Sequence, residues 1–319
     1  MTENLRPDRT DPAKAPASDL FEPADTAELA GMLLAERPDL HGLPVPDDPL
    51  ERWRLVRALM NTREPVPAAD ALLELQDGVL ARIRDVRGTT EASSIAPLGR
   101  SGRTALWQGD ITTLAADAVV NAANSGLLGC FVPNHRCIDN AIHTFAGMQL
   151  RLACNDIMQV RRRDEPTGTA TLTPAFNLPA ERVMHTVGPV TFGTPSASQE
   201  RELASCYTSC LEAAAEEKLE SIAFCCISTG EFRFPRERAA EIALRTVDEF
   251  LARDTTLETV VFNVFTDEDR VAGIEGGELA QGAQQLRGIT LQIAGMPAIS
   301  LAAVNFGDDG QIVDVAYRR

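Results

Sequence analysis

The chain has 319 residues, with 30 Lys and Arg against 46 Asp and Glu and a formal charge of −16. So acidic a balance repels nucleic-acid phosphate and anionic lipid, which argues against a nucleic-acid or membrane partner. No stretch approaches the roughly 20 apolar residues of a membrane helix, the N-terminus lacks the apolar core of a signal peptide, and seven cysteines suggest core thiols or metal ligands rather than a disulfide framework. The expectation is a cytoplasmic protein of two units, a catalytic domain of roughly 150 to 200 residues and a smaller helical one.

Residues 1–24 are expected to be disordered, because Met1 to Ser18 is charged, interrupted by proline and nearly free of apolar periodicity. Residues 25–98 form a helical extension: Leu29, Met32 and Leu33 recur at helical spacing, as do Trp53, Leu55, Val56 and Leu59, then Leu72, Leu73, Leu80 and Ile83. Pro44, Pro46, Pro49, Pro65 and Pro67 separate three helices. No cluster of His, Asp or Glu converges there, so this extension is expected to be a structural cap rather than a partner-binding unit.

Over residues 99–269 strands alternate with helices. Strands are expected at Ala105 to Gln108, Ala118 to Ala122, Ala170 to Leu172, Arg182 to Val187, Ser221 to Ser228 and Thr259 to Phe265. Helices are expected at Ile138 to Val160, Ser198 to Glu217 and Arg236 to Ala252. Such alternation predicts a three-layer α/β/α fold around a mostly buried sheet, with ligands gathered at strand ends. Residues 270–319 form a polar tail with strand-like patches such as Ile289 to Ile293 and Ile312 to Val315, and no role is assigned to it.

Three constellations carry chemistry. Cys130, His135 and Cys137 offer soft and borderline ligands just before a helix. Zinc is their natural occupant, and three protein ligands leave a coordination position open, as catalytic sites do. A closed structural site completed by Cys154 or His143, or two buried thiols with no metal, fits the same spacing. Asp139, in the first turn of that helix, is either a cap or a base toward water or a ribose hydroxyl. His143, one turn on, is given no catalytic role.

Upstream, Asp110 and Ile111 end one expected strand, and Asn121 and Asn124 end the next, offering acceptors and donors for an amino group and ribose hydroxyls; capping and turn formation are the plainer alternatives. Downstream, the loop Ser228, Thr229, Gly230, Glu231 and Phe232 leads to Pro235 and a helix, and it can aim several backbone N–H groups at a diphosphate without a basic patch. No Walker lysine motif and no G-x-G-x-x-G occurs.

In content and order, Gly109-Asp110-Ile111, Asn121-Ala122-Ala123-Asn124, the Asp139 to His143 helix start, His185-Thr186-Val187-Gly188-Pro189 and the Ser228 to Pro235 loop resemble the macrodomain family, over about Gly102 to Asp269. Cys130, His135 and Cys137 stand where ordinary members are glycine-rich, which resembles the zinc-dependent bacterial subgroup. The resemblance implies a mixed central sheet preceded by a small helical unit. It implies Asp110 at adenine, Asn124 at the distal ribose, Ser228 to Phe232 at the diphosphate, and catalytic Zn2+ with Asp139 as base. The implied reaction is removal of mono-ADP-ribose from an ADP-ribosylated protein substrate, and the partners the resemblance suggests are a lipoyl-carrier protein and a sirtuin-like transferase of the same system. A non-catalytic ADP-ribose reader and an O-acetyl-ADP-ribose deacetylase are the alternatives. After Asp269 the family's closing helix is not readable, and Asn263 and Phe265 are left without roles.

Overall fold

A computed structural model describes residues 23–98, 101–254, 256–267 and 269–270, together with the backbone of strands at 290–291, 299–306 and 312–318. Of the expected disordered segment 1–24, residues 1–22 lie outside the described residues, whereas Pro23 and Ala24 already belong to the first helix; most of the tail also lies outside the described residues.

Three helices open the described chain: α1 (Pro23–Ala35), α2 (Pro49–Thr62) and α3 (Asp70–Arg87). Asp48 caps α2, its Oδ1 accepting from the N–H groups of Leu50 (3.0 Å) and Glu51 (2.9 Å), while Pro49 supplies a helical φ at the first position. The periodic apolar positions close on one another in a small core of Leu29, Leu33, Trp53, Val56, Leu72, Leu80 and Ile83. Met148, from the following unit, is buried in the same cluster, and Phe145 packs against both cores. The extension is therefore welded to the rest of the protein by apolar contact.

The remainder contains β1 (Thr90–Glu91), β2 (Pro97–Leu98), β3 (Thr104–Gln108), β4 (Leu114–Ala115), β5 (Ala118–Ala122), α4 (Ile138–Ala146) and α5 (Met148–Arg161). It continues through β6 (Ala170–Pro174), β7 (Arg182–Thr186), α6 (Ala197–Glu216), β8 (Ser221–Phe224), α7 (Arg236–Leu251) and β9 (Thr259–Val264). Seven strands make one mixed sheet in the order β2-β3-β9-β8-β5-β7-β6. The inner pairings are parallel and the two outermost antiparallel, so the expected α/β fold with a mixed central sheet is the one observed. The near-continuous burial of β5, β7 and β8 is what central parallel strands require. Parallel pairing brings the carboxyl ends of β3, β5, β8 and β9 to one edge, which positions the site.

Two expected elements differ. The helix expected from Ile138 to Val160 is broken at Gly147, where φ is +94°. A Cβ there would lie 2.6 Å from Gln76 Nε2, so close approach of α3 excludes a side chain and the chain turns between α4 and α5. The strand expected over Ser221 to Ser228 stops at Phe224, four residues before Ser228 enters a left-handed turn with φ +66°. In the tail, the backbone forms a three-stranded antiparallel sheet of β10 (Thr290–Leu291), β11 (Ile299–Phe306) and β12 (Ile312–Arg318).

Candidate active site

Asp110 follows β3 and caps the short 3₁₀ turn Ile111–Thr113. Its Oδ1 accepts from the Thr112 backbone N–H (2.9 Å) and from the Thr112 hydroxyl (2.7 Å). Its second oxygen is paired with the guanidinium of Arg87 at the end of α3, which also donates to Thr112 Oγ1 at 3.0 Å. That cation, 23 residues away in sequence, carries no motif and was invisible to sequence reasoning. Ile111 is buried beside the pair. Asn263, on β9, is buried and donates to the Gly109 carbonyl at 2.8 Å, whereas Phe265 is 72% exposed.

Asn121 is buried within β5 and Asn124 lies just beyond it. Both converge on Asp139: Asn121 Nδ2 donates to Oδ1 at 2.8 Å and Asn124 Nδ2 to Oδ2 at 3.1 Å. Asp139 does not cap its helix, because the α4 N-cap is Cys137, whose sulfur accepts from the Asn140 N–H. Its carboxylate turns instead to the strand ends. Burial pushes the Asp139 carboxyl up to about 6, against the pull of Asn121, Arg151 and Asn124. A base titrating there operates near neutral pH.

The loop before α4 starts at Gly129, whose carbonyl accepts from Asn124 Nδ2 at 3.0 Å and whose φ is +79°. Donor atoms of Cys130, His135 and Cys137 all lie within 4.8 Å of one another. Cys130 Sγ stands 3.6 Å from His135 Nδ1, the separation that roughly 2.3 Å and 2.0 Å bonds at a tetrahedral angle require. Burial pushes the Cys137 thiol up to about 12, a thiol that a bound cation would hold as thiolate. Two sulfurs and a nitrogen, half-buried and convergent, fit zinc.

In the Ser228 to Phe234 loop, Phe234 N–H donates to the Ser228 carbonyl (2.9 Å) and Arg233 N–H to the Gly230 carbonyl (3.0 Å), curling the chain. Among the described residues, the N–H groups of Thr229, Gly230, Glu231 and Phe232 have no backbone acceptor. Four unpaired donors in a curled loop make an anion cradle. Ser228 is buried with its hydroxyl unpartnered, and Gly188 lies so near that a Cβ there would fall 1.9 Å from that hydroxyl. Glu231, 73% exposed, puts Oε1 3.6 Å from His135 Nε2, so the Ser228 to Phe234 loop and the loop before α4 meet.

His143 is buried against this site with both ring nitrogens unpartnered. Its Nε2 lies 3.6 Å from Asp139 Oδ1 and its ring 5.9 Å from that of His185. A second convergent set, His143, Cys154 and His185, is wholly buried beneath the loop.

Comparison with known proteins bears on the family and the fold. The macro domain family model matches residues 120–243. A protein-ADP-ribose hydrolase of Treponema medium is 51% identical over 243 residues, covering 76% of this chain and 93% of that protein. One from Staphylococcus aureus (strain MRSA252) is 46% identical, covering 73% and 88%. Among solved structures, the Trypanosoma brucei macrodomain in complex with ADP-ribose superposes with a TM-score of 0.53 at 30% identity, over 69% of this chain and 94% of that one. On the fold, the ordered site and these likenesses together, the chain belongs to the macrodomain family.

Proposed function

We propose that the chain is a hydrolase that releases mono-ADP-ribose from modified proteins, with zinc bound by Cys130, His135 and Cys137. The observation that carries this reading is the buried Asp139 carboxylate, gripped by Asn121 and Asn124 two residues from Cys137. The names of the Treponema medium and Staphylococcus aureus relatives support hydrolysis over simple binding.

Zinc in the Cys130, His135 and Cys137 set would supply Lewis-acid polarisation of an oxygen at the distal ribose. The protein's own residues do the rest. Asp110 and Ile111 receive the adenine end, and the amides of Thr229 to Phe232, with Ser228, hold the diphosphate and fix the distal ribose beside Asn124. Asn121 and Asn124 orient the carboxylate of Asp139, which takes a proton from the attacking water as the water oxygen bonds to the ribose carbon and the ribosyl bond to the modified side chain breaks; the side chain leaves as a carboxylate or, for a serine or arginine linkage, regains that proton. The substrate is an ADP-ribosylated protein; a lipoyl-carrier protein modified by a sirtuin-like transferase is the candidate that the family resemblance supplies.

The test is single-turnover incubation with proteins mono-ADP-ribosylated through carboxylate, serine or arginine linkages, beside calorimetry with free ADP-ribose. Release from at least one protein linkage is expected. Binding without release points to a reader, and turnover of acetylated ADP-ribose alone points to an esterase.

A further inference from the structure

One face of α2 is devoted to the metal loop. Arg57 Nη2 donates to the His135 carbonyl (2.8 Å) and to Asn140 Oδ1 (2.7 Å). Asn61, four residues on and so one turn further along the same face, accepts the Asn134 N–H at 3.0 Å and donates to Thr144 Oγ1 at 2.9 Å. The Arg54 carbonyl accepts from Asn134 Nδ2 at 3.2 Å. Asn134 sits in the left-handed region at φ +53°, a conformation that needs holding.

Asn140 is the hub. Wholly buried, it offers Nδ2 to the carbonyls of Val132 (3.0 Å) and Cys130 (3.4 Å), while Arg57 fills its Oδ1. The backbone on both sides of the Cys130 to His135 span is thus tied through one amide to one guanidinium from the helical extension. Arg57 touches none of the ligand side chains by hydrogen bond; it holds their main chain.

We infer that Arg57 is a positioning residue for the metal loop, so that the helical extension is a working part of the catalytic site and sets how tightly the loop holds its metal. This rests on the zinc reading above. Outer hydrogen bonds that fix ligands are commonly worth 10- to 100-fold in metal affinity, and Arg57 reaches one ligand residue directly and a second through Asn140. The bland alternative, an arginine that only glues two units together, predicts loss of stability without loss of metal.

The experiment compares zinc-loaded full-length wild type with Arg57→Met, Arg57→Lys and Arg82→Ala. Arg82 pairs with Asp25 inside the extension and touches neither loop, so it reports plain destabilisation. Zinc loss to the dye pyridylazoresorcinol is followed beside ADP-ribose affinity and steady-state turnover. The expected result is zinc release faster by about tenfold or more in Arg57→Met, an intermediate rate in Arg57→Lys, and the wild-type rate in Arg82→Ala. ADP-ribose affinity stays within about twofold, and the loss of turnover falls on kcat rather than KM. Zinc retention at the wild-type rate in Arg57→Met overturns the inference; if that variant does not fold, the same result in Arg57→Lys does so. A wild type that binds no zinc overturns the zinc reading and this inference with it, whereas a zinc-loaded wild type with equally retentive variants overturns the inference alone.

Discussion

Asn124 Nδ2 lies 3.1 Å from Asp139 Oδ2, and the same amide nitrogen lies 3.0 Å from the carbonyl of Gly129. One side chain at a strand end thereby ties the carboxylate to the residue that precedes Cys130. With Asn121 on the other oxygen at 2.8 Å, each Asp139 oxygen is held by one amide donor.

Asp139→Asn should therefore separate chemistry from binding. Turnover should fall by about 10² to 10⁴, the usual worth of a positioned base, while zinc content and ADP-ribose affinity are retained. Rate, affinity and metal measured on one preparation check this; an unchanged rate removes Asp139 from the mechanism.

Gly129 tests the packing beneath the loop. A Cβ there would fall 2.6 Å from Cγ of the buried His143 ring, at a φ of +79°. Gly129→Ala should cost about 1–3 kcal/mol in denaturant unfolding. A variant as stable as wild type would show that the ring moves freely aside.

Arg87 and Asp110 form a pair buried on the arginine side. Arg87→Met leaves the carboxylate uncompensated and should destabilise by about 3–5 kcal/mol, whereas the double variant Arg87→Met with Asp110→Asn should regain much of that loss. ADP-ribose affinity should fall in both. Additive losses in the cycle would show that the two groups act independently.

Acid sensitivity follows from three buried groups. Burial lowers the His185 pKa to about 3 and holds that of His143 well below its usual value. Both are depressed on folding, so their contribution is present above the ordinary histidine pKa of about 6.5 and is lost as pH falls toward the folded values. Asp139, raised to about 6, acts oppositely: it favours the fold while protonated, and that contribution is lost as pH rises through about 6. Between about pH 4 and 6 the unfolded chain binds about one more proton than the folded one, so the metal-free protein should lose ~1.4 kcal/mol per pH unit on acidification. Urea titrations across that range measure it; a flat profile contradicts the assignment of neutral, buried imidazoles.

The parts of the site legible in the sequence are those written locally. Cys130, His135 and Cys137 announce themselves by spacing and chemistry within eight residues, and the strands were readable because buried parallel strands are apolar runs. Arg57, Asn61 and Arg87 were not legible, since their partners lie 78, 73 and 23 residues away and a lone arginine on a helix ordinarily faces water. Read locally, Asp139 favours a cap over a base, and only the family resemblance reverses that preference; the fold shows that Cys137 takes the capping place. The break at Gly147 was hidden because apolar periodicity runs through it, and the neighbour that a side chain there would meet, Gln76, comes from another helix.

Single-turnover release of ADP-ribose from a mono-ADP-ribosylated protein, on enzyme whose metal content is quantified in the same sample, tests the central claim most directly. The account predicts release in proportion to bound zinc, near one ion per chain, with loss of both in Cys137→Ser. Full activity in metal-free wild-type protein, or stoichiometric zinc with no release from any protein linkage, would contradict it.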